Sequence, residues 1–185
     1  MAAAAHRATR LAPPLLAAAV TAAVYVWAKS VTPDYGTSLF GQTAADTLPL
    51  KSWLATAVLA LALLQVYTAL WLYGRIRRGR ARPRRLGTVH RLTGVGAILL
   101  TLPIAYHCLF AYGFQDFSTR VLVHSLAGSF IYGAIAAKVL VVRSRTLPGW
   151  ALPVAGGIVV TAVVVLWYSS ALWYFNDHSV PLLGS

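Results

Sequence analysis

The chain has 185 residues, of which 58% are hydrophobic and only 11% are charged, and its net charge is +12. Soluble domains typically carry about 25% charged residues, so this composition excludes an ordinary soluble fold and predicts an integral membrane protein. The positive charge does not indicate nucleic-acid binding, because the basic residues cluster in one linker and at the ends of apolar segments.

Five apolar segments are each near the ~20 residues that a helix needs to cross a bilayer. Backbone polar groups inside lipid must be paired internally, so segments this long and this apolar are predicted to be helices. The predicted fold class is therefore an all-α integral membrane protein, a bundle of five transmembrane helices forming a single domain over residues 1–185. The predicted spans are about 12–29, 52–73, 88–112, 121–142 and 150–175.

The first span also has features of a secretory signal peptide, with a basic start, an apolar core and a possible cleavage point after Ala28. Its apolar run from Leu11 to Ala28 is long for such a core. We therefore expect a helix that is retained in the membrane.

The linker between the second and third spans, residues 74–87, reads GRIRRGRARPRRLG. Cytoplasmic loops of membrane proteins carry an excess of Lys and Arg, so this basic linker is predicted to be cytoplasmic. The N-terminus then lies inside and the C-terminus outside. All four acidic residues fall outside: Asp34, Asp46, Asp116 and Asp177.

Two histidines, His107 and His124, flank the turn between the third and fourth spans at similar distances from it. In an antiparallel hairpin they would lie at one depth, because both helices rise about 1.5 Å per residue. Ionisable side chains within spans are costly and usually functional, and two imidazoles on facing helices can bind haem iron from both sides. The pair predicts the axial ligands of haem b, with one haem per chain.

The surroundings of the two histidines suit a flat macrocycle. Gly96 shares the helix face of His107, Gly128 lies one turn from His124, and glycine permits the closest approach. Three cations at the outer ends of spans are candidate partners of haem propionates: Lys29, Lys51 and Arg120. Each of these cations could instead reach lipid phosphates.

Simpler interpretations of each histidine remain open. Either one could form a hydrogen bond with a neighbouring helix or face the lipid headgroups. Zinc binding is disfavoured, because no further ligand has suitable spacing: Asp116 lies at the turn, and Cys108 points about 100° away from His107.

His90 lies at the inner end of the third span and is rotated by about 260° from His107, so the two do not share a face. A second haem would need another inner ligand near His90. With Arg91, His90 could instead bind a quinone headgroup, line a proton path or contact lipid phosphate, and we expect the last.

The third and fourth spans read TVHRLTGVGAILLTLPIAYHCLFAYGF and VLVHSLAGSFIYGAIAAKVLVVR. The HRxxG start and the later histidine of the third span resemble the cytochrome b-five-sixty-one and ferric-reductase-like groups of membrane cytochromes b. The whole chain also looks like a family of small bacterial membrane proteins known only as a domain of unknown function. The cytochrome resemblance covers about half of the chain. The spacing of the histidines and the lack of a fourth membrane histidine depart from a two-haem pattern.

The resemblance implies a helical bundle in the bacterial cell membrane, b-type haem and electron transfer. It puts His107 and His124 at ligand positions by location, and His90 at the position that can ligate an inner haem.

Two functions from different classes follow. The first is a b-type cytochrome that passes electrons near the outer face, between a membrane donor such as quinol and an extracytoplasmic redox partner. It would be an electron-transfer protein or an oxidoreductase subunit rather than a stand-alone enzyme. The alternative is a cofactor-free membrane anchor or assembly subunit, in which the histidines serve helix packing. A transporter is disfavoured because the spans contain no acidic residue.

Overall fold

The computed structural model describes residues 2–41, 43–77, 79 and 81–183. Five helices in these ranges are long and apolar enough to cross a membrane, so the all-α, five-span prediction is confirmed. The helices are α1 (Ala2–Ser30), α2 (Ala44–Leu72), α3 (Leu86–His107), α4 (Thr119–Arg143) and α5 (Ala151–Trp167).

Polar caps determine where two of the helices begin. The Thr43 hydroxyl accepts a hydrogen bond from the Asp46 N–H at 3.3 Å, which satisfies a free donor in the first turn of α2. The negative charge of Asp46 also suits the positive end of the helix dipole. α2 therefore begins about two turns before its predicted apolar core. Ser118 caps α4 in the same way, through the Val121 N–H.

The helices do not pack in chain order. α2 packs closely against α3 and α5, and α4 packs closely against α1 and α5. The consecutive helices α3 and α4 lack such close backbone contact and meet through side chains, with Leu100 and Tyr132 packing on the same buried cluster. We call the space between α3 and α4 the seam. Within the described part of the chain, every hydrogen bond across the seam between the two helices joins the Tyr132 hydroxyl to Thr101, the shorter at 3.0 Å to Thr101 Oγ1.

The closest approach between helices is that of α1 to α4. Gly133 is buried, and a Cβ added there would overlap the Ala17 carbonyl and the Thr21 hydroxyl. Small residues let helix backbones come together in membranes, where dispersion contacts provide much of the association energy. Gly133 is thus the residue that permits α1 to lie against α4.

The two ends of the bundle differ in charge. Successive spans alternate in direction, so residues 31–41, 113–118 and 176–183 share one end, which we call the aspartate face. An ion pair of 3.0 Å between Lys29 and Asp116 joins the end of α1 to the α3–α4 linker at this face. The α2–α3 and α4–α5 linkers share the other end, the arginine face. Arg78 and Arg80 of the predicted basic linker lie outside the described residues. Which face is cytoplasmic stays a prediction.

Two π-helical turns lie at the aspartate face. One, Cys108–Tyr112, continues α3, and the other, Tyr168–Leu172, continues α5 before the short helix α6 (Trp173–Phe175). A π turn holds more residues than an α turn and changes the direction of the side chains that follow, and such turns are frequent at functional sites. The first begins directly after His107, and the second contains the buried Ser169.

Asp34 forms hydrogen bonds that stabilise the loop after α1. Its carboxylate accepts hydrogen bonds from the Thr37 hydroxyl at 2.7 Å and the Gly36 N–H at 2.9 Å. These bonds, that of Thr37 foremost, hold the pKa of Asp34 below its ordinary value of 3.8. A carboxyl whose pKa is depressed by folding stabilises the folded state above its unfolded pKa, and this contribution is lost as the pH falls through the folded pKa.

We therefore expect the melting temperature of Asp34→Ala to lie below that of the unchanged protein at pH 7. The difference should shrink as the pH falls below 3.8, because protonation then weakens the same bonds in the unchanged protein. Thermal unfolding in detergent over a pH series measures this. A difference that stays constant down to about pH 2 would contradict a role for the ionised carboxylate.

Candidate functional site

His107 lies beneath the loop of the aspartate face and is only 2% exposed. Lys51 Nζ lies 3.2 Å from its Nδ1, and the Thr37 carbonyl oxygen lies 2.8 Å from its Nε2. An ammonium group can only donate, so Nδ1 accepts the hydrogen bond from Lys51 and Nε2–H donates to Thr37. The hydrogen-bond network thus assigns a neutral His107 whose two ring nitrogens are both occupied.

His124 has the opposite tautomer. Its Nδ1 lies 3.1 Å from Ser169 Oγ, and the Ser169 hydroxyl donates its proton to the Val165 carbonyl at 2.7 Å. Ser169 Oγ must therefore accept from His124 Nδ1–H, because a hydroxyl has a single proton. In this tautomer Nε2 is unprotonated, and the Leu166 backbone carbonyl is the other protein group that lies near the ring. An imidazole oriented in this way, by a hydrogen bond at one nitrogen, is the usual form of a histidine metal ligand.

A cavity of about 120 Å³ lies in the aspartate-face half of the seam. His124 and Gly128 line it from α4, and a Cβ added at Gly128 would meet only Leu166 Cδ2, at 3.9 Å. Cys108 lines the cavity from the α3 side, whereas His107 does not line it. The predicted histidine pair is therefore not brought together on one cavity in this structure, since His107 is turned toward α2 and the loop.

Two of the three predicted cations carry charge without an acidic partner in the described structure. Lys51 is 8% exposed and lies over the Tyr112 ring at 4.3 Å. The Arg120 guanidinium lies over the Trp173 ring at 3.9 Å and donates to the Ser169 carbonyl at 2.8 Å. Arg120 thus binds the residue whose hydroxyl orients His124.

The remaining predicted residues near the haem site lie elsewhere. Lys29 is paired with Asp116 and also lies over the Phe114 ring at 4.5 Å. A Cβ at Gly96 would meet only Leu61 Cδ1 of α2, at 3.9 Å, and Gly96 is not part of the cavity wall. Of the predicted glycines, only Gly128 therefore belongs to the site.

Of the two predicted haem ligands, His124 lines the cavity and His107 does not. On α4, a histidine oriented by Ser169 lies beside a glycine, and Arg120 binds the Ser169 carbonyl. On α3, iron ligation by His107 would require breaking a hydrogen bond at whichever nitrogen is used. The cavity is also smaller than the roughly 300–1,000 Å³ of typical ligand pockets, so α3 and α4 would have to separate further.

His90 belongs to a polar network on the arginine-face side of α2 and α3. Its Nδ1 lies 2.7 Å from Thr68 Oγ1, and its backbone carbonyl accepts a hydrogen bond from the Gln65 amide, which also donates to Thr93 Oγ1. His90 is thus fixed against α2 rather than pointing only at lipid. Its predicted partner Arg91 is exposed.

Residues 10–182 match the sequence model of a family described as "Family of unknown function (DUF6529)". The chain belongs to this family. No curated protein and no solved structure matches it. The matched stretch includes Lys51, His107, His124 and Ser169 at the aspartate face, and also His90 with its hydrogen-bond partners.

Sequence reasoning missed Ser169, although this residue orients His124 and its carbonyl binds Arg120. The sequence feature that could have indicated it is the Ser169–Ser170 pair, which places two adjacent hydroxyl groups within the mostly apolar fifth span of this DUF6529 protein. The hydrogen bond between Tyr132 and Thr101 was also missed, because nothing in the spacing shows that the two residues face each other.

Proposed function

We propose that the chain is a membrane-embedded haem protein that holds one b-type haem in the seam, with Nε2 of His124 as a protein ligand of the iron. The observation that carries this proposal is the orientation of His124: Ser169 fixes Nδ1, and the ring lines a cavity between two helices that lack close backbone contact. His107 holds the loop and Lys51 in this proposal rather than the iron.

The residues around the site have distinct tasks. Ser169 keeps His124 in the tautomer that leaves Nε2 unprotonated. Gly128 leaves room beside the ligand, and Lys51 and Arg120 provide positive charge for the carboxylates of the bound group. The mostly apolar wall excludes water. A bound b haem supplies a reversible one-electron couple, whose potential depends on such surroundings.

The protein would then carry electrons between a membrane donor such as quinol and a redox partner at the aspartate face. The charge distribution supports the arginine face as the cytoplasmic one, in the cell membrane of a bacterium, because basic loops stay inside. The chain would serve as an electron carrier or a subunit of an oxidoreductase.

A second candidate is a cofactor-free membrane anchor or assembly subunit of a larger complex. The observation that favours it is His107, whose ring nitrogens are both used to tie Lys51 and the loop into the bundle. Here the hydrogen bonds of His107 and His124 would serve helix packing, as those of polar side chains do in other membrane bundles.

An optical spectrum separates the two candidates. We expect protein purified in detergent from haem-replete cells to show a sharp α-band after reduction by dithionite. A pyridine haemochrome assay should give one haem per chain. Two haems per chain would contradict the single site and make His90 a candidate ligand. A colourless protein would exclude the haem proposal and leave the anchor.

A further inference from the structure

A second cavity, of about 1060 Å³, lies between α1 and α5 and is open toward the surroundings of the bundle. Both helices pack closely against α4, whereas they lack such close contact with each other, so α4 forms the floor of a trough. We call this trough the α1–α5 groove. Val154 and Ile158 of its wall are 49% and 42% exposed, so in a membrane the groove opens to lipid.

Small side chains make the groove deep. Ala18 and Ala22 line it from α1 and Ala155 lines it from α5, while its floor on α4 extends from Leu126 to Val141. That stretch of α4 rises by about 22 Å, whereas one leaflet contributes about 15 Å to the ~30 Å hydrocarbon core of a bilayer. The groove therefore has the length and the volume to hold an extended acyl chain.

A cation lies at the arginine-face end of the groove. Arg10, at which the first span begins, lines the groove there, together with Trp150 directly before α5. All four acidic residues of the chain lie at the aspartate face, so no acidic side chain of the same chain neutralises Arg10. Trp and Arg at the end of a span are typical of the headgroup region. The groove thus combines an apolar length within the hydrocarbon core with a positive charge at headgroup depth.

We propose that the α1–α5 groove binds one anionic phospholipid, with an acyl chain along α4 and the headgroup phosphate at Arg10. A guanidinium group can bind phosphate through two parallel hydrogen bonds, and basic pockets between transmembrane helices bind anionic headgroups. The charge also favours a lipid over a second copy of the chain. Two copies in one membrane share an orientation, so they would bring their basic faces together at this groove. This proposal does not depend on haem binding.

Native mass spectrometry of the detergent-purified protein tests the proposal, with phosphatidylglycerol as the anionic probe and phosphatidylcholine as the neutral one. The unchanged protein should retain one phosphatidylglycerol in preference to phosphatidylcholine. Ala18→Phe should abolish most of the binding of either lipid, because the ring fills the groove. Arg10→Gln should instead lower the preference for phosphatidylglycerol by about fivefold, the contribution of one basic residue near an anionic lipid. Arg10→Lys should keep most of that preference, because it keeps the charge.

Ala19→Phe is the matched control for the groove, because Ala19 is an exposed neighbour of Ala18 on α1 and does not line the groove. It should leave lipid binding unchanged. Arg143→Gln is the matched control for the charge, because Arg143 is an exposed cation at the same face and lies outside the groove wall. It should leave the preference for phosphatidylglycerol unchanged.

Three outcomes would overturn the proposal. Equal losses in Arg10→Gln and Arg143→Gln would show diffuse attraction of lipid to the whole face. Full lipid binding in Ala18→Phe would show that the lipid lies elsewhere. A dimer of the unchanged protein that Ala18→Phe converts to a monomer would show that a second copy occupies the groove. Circular dichroism verifies that each variant is folded, and Ala22→Phe fills the same groove one turn further along if Ala18→Phe does not fold.

Discussion

Replacing His124 by alanine is expected to lower the haem content of the purified protein by about tenfold or more. Loss even of residues that only orient a metal ligand typically costs 10- to 100-fold in affinity, and His124 is the proposed ligand itself. Ser169→Ala should show a smaller loss, because the imidazole remains but its tautomer and orientation are no longer fixed. The pyridine haemochrome assay measures both effects as haem per chain.

Two controls make the result specific to ligation. His178 lies at the same face but packs edge-to-face against the Trp173 ring, with ring centroids 4.4 Å apart, and does not line the cavity, so His178→Ala should keep the haem. Imidazole added during expression of His124→Ala should restore part of the haem by occupying the vacated position. Full haem content in His124→Ala, or loss in His107→Ala alone, would refute the assignment of the ligand to α4.

Gly133→Ala is expected to destabilise the bundle by about 1–3 kcal/mol, the usual range for overpacking a tight interior. The added methyl group would overlap the Ala17 carbonyl, which belongs to the backbone of α1 and cannot move without the helix. α1 must therefore shift away from α4. The free energy of unfolding in mixed detergent micelles measures the effect.

Gly157→Ala provides the matched control for this change. Gly157 lies within α5, and a Cβ added there meets nothing within 4 Å. The same substitution should therefore be neutral or slightly stabilising, because alanine is the better helix former. Equal destabilisation by the two variants would show that the contact of Gly133 with α1 is not the cause.

The spans could be predicted because a long apolar run has few stable forms in lipid. The exact ends of the helices could not be predicted from hydropathy. α2 begins at Ala44 because Thr43 and Asp46 cap it, and a polar cap adds nothing to hydropathy. The two π-helical turns were not predicted either, since they interrupt the regular periodicity on which face assignments depend.

For the candidate site, the sequence predicted the depth of the residues in the membrane but not the directions of their side chains. The rise of a helix fixes the depth of a residue, so counting from the turn placed His107 and His124 at one end of the bundle. Rotation about the helix axis depends instead on which neighbour the helix packs against. α3 packs on α2, and this contact turns His107 to Lys51 and Thr37 while Cys108 faces the seam.

The seam also has a consequence for how the chain assembles. The pairs α2–α3 and α4–α5 are neighbours in sequence and can associate soon after each second helix enters the bilayer. α1 has its main partner in α4, roughly 100 residues later in the chain. Contacts between distant segments form late, because a long loop must close first. During synthesis, α1 therefore remains in the lipid without its main partner until three further spans have been inserted.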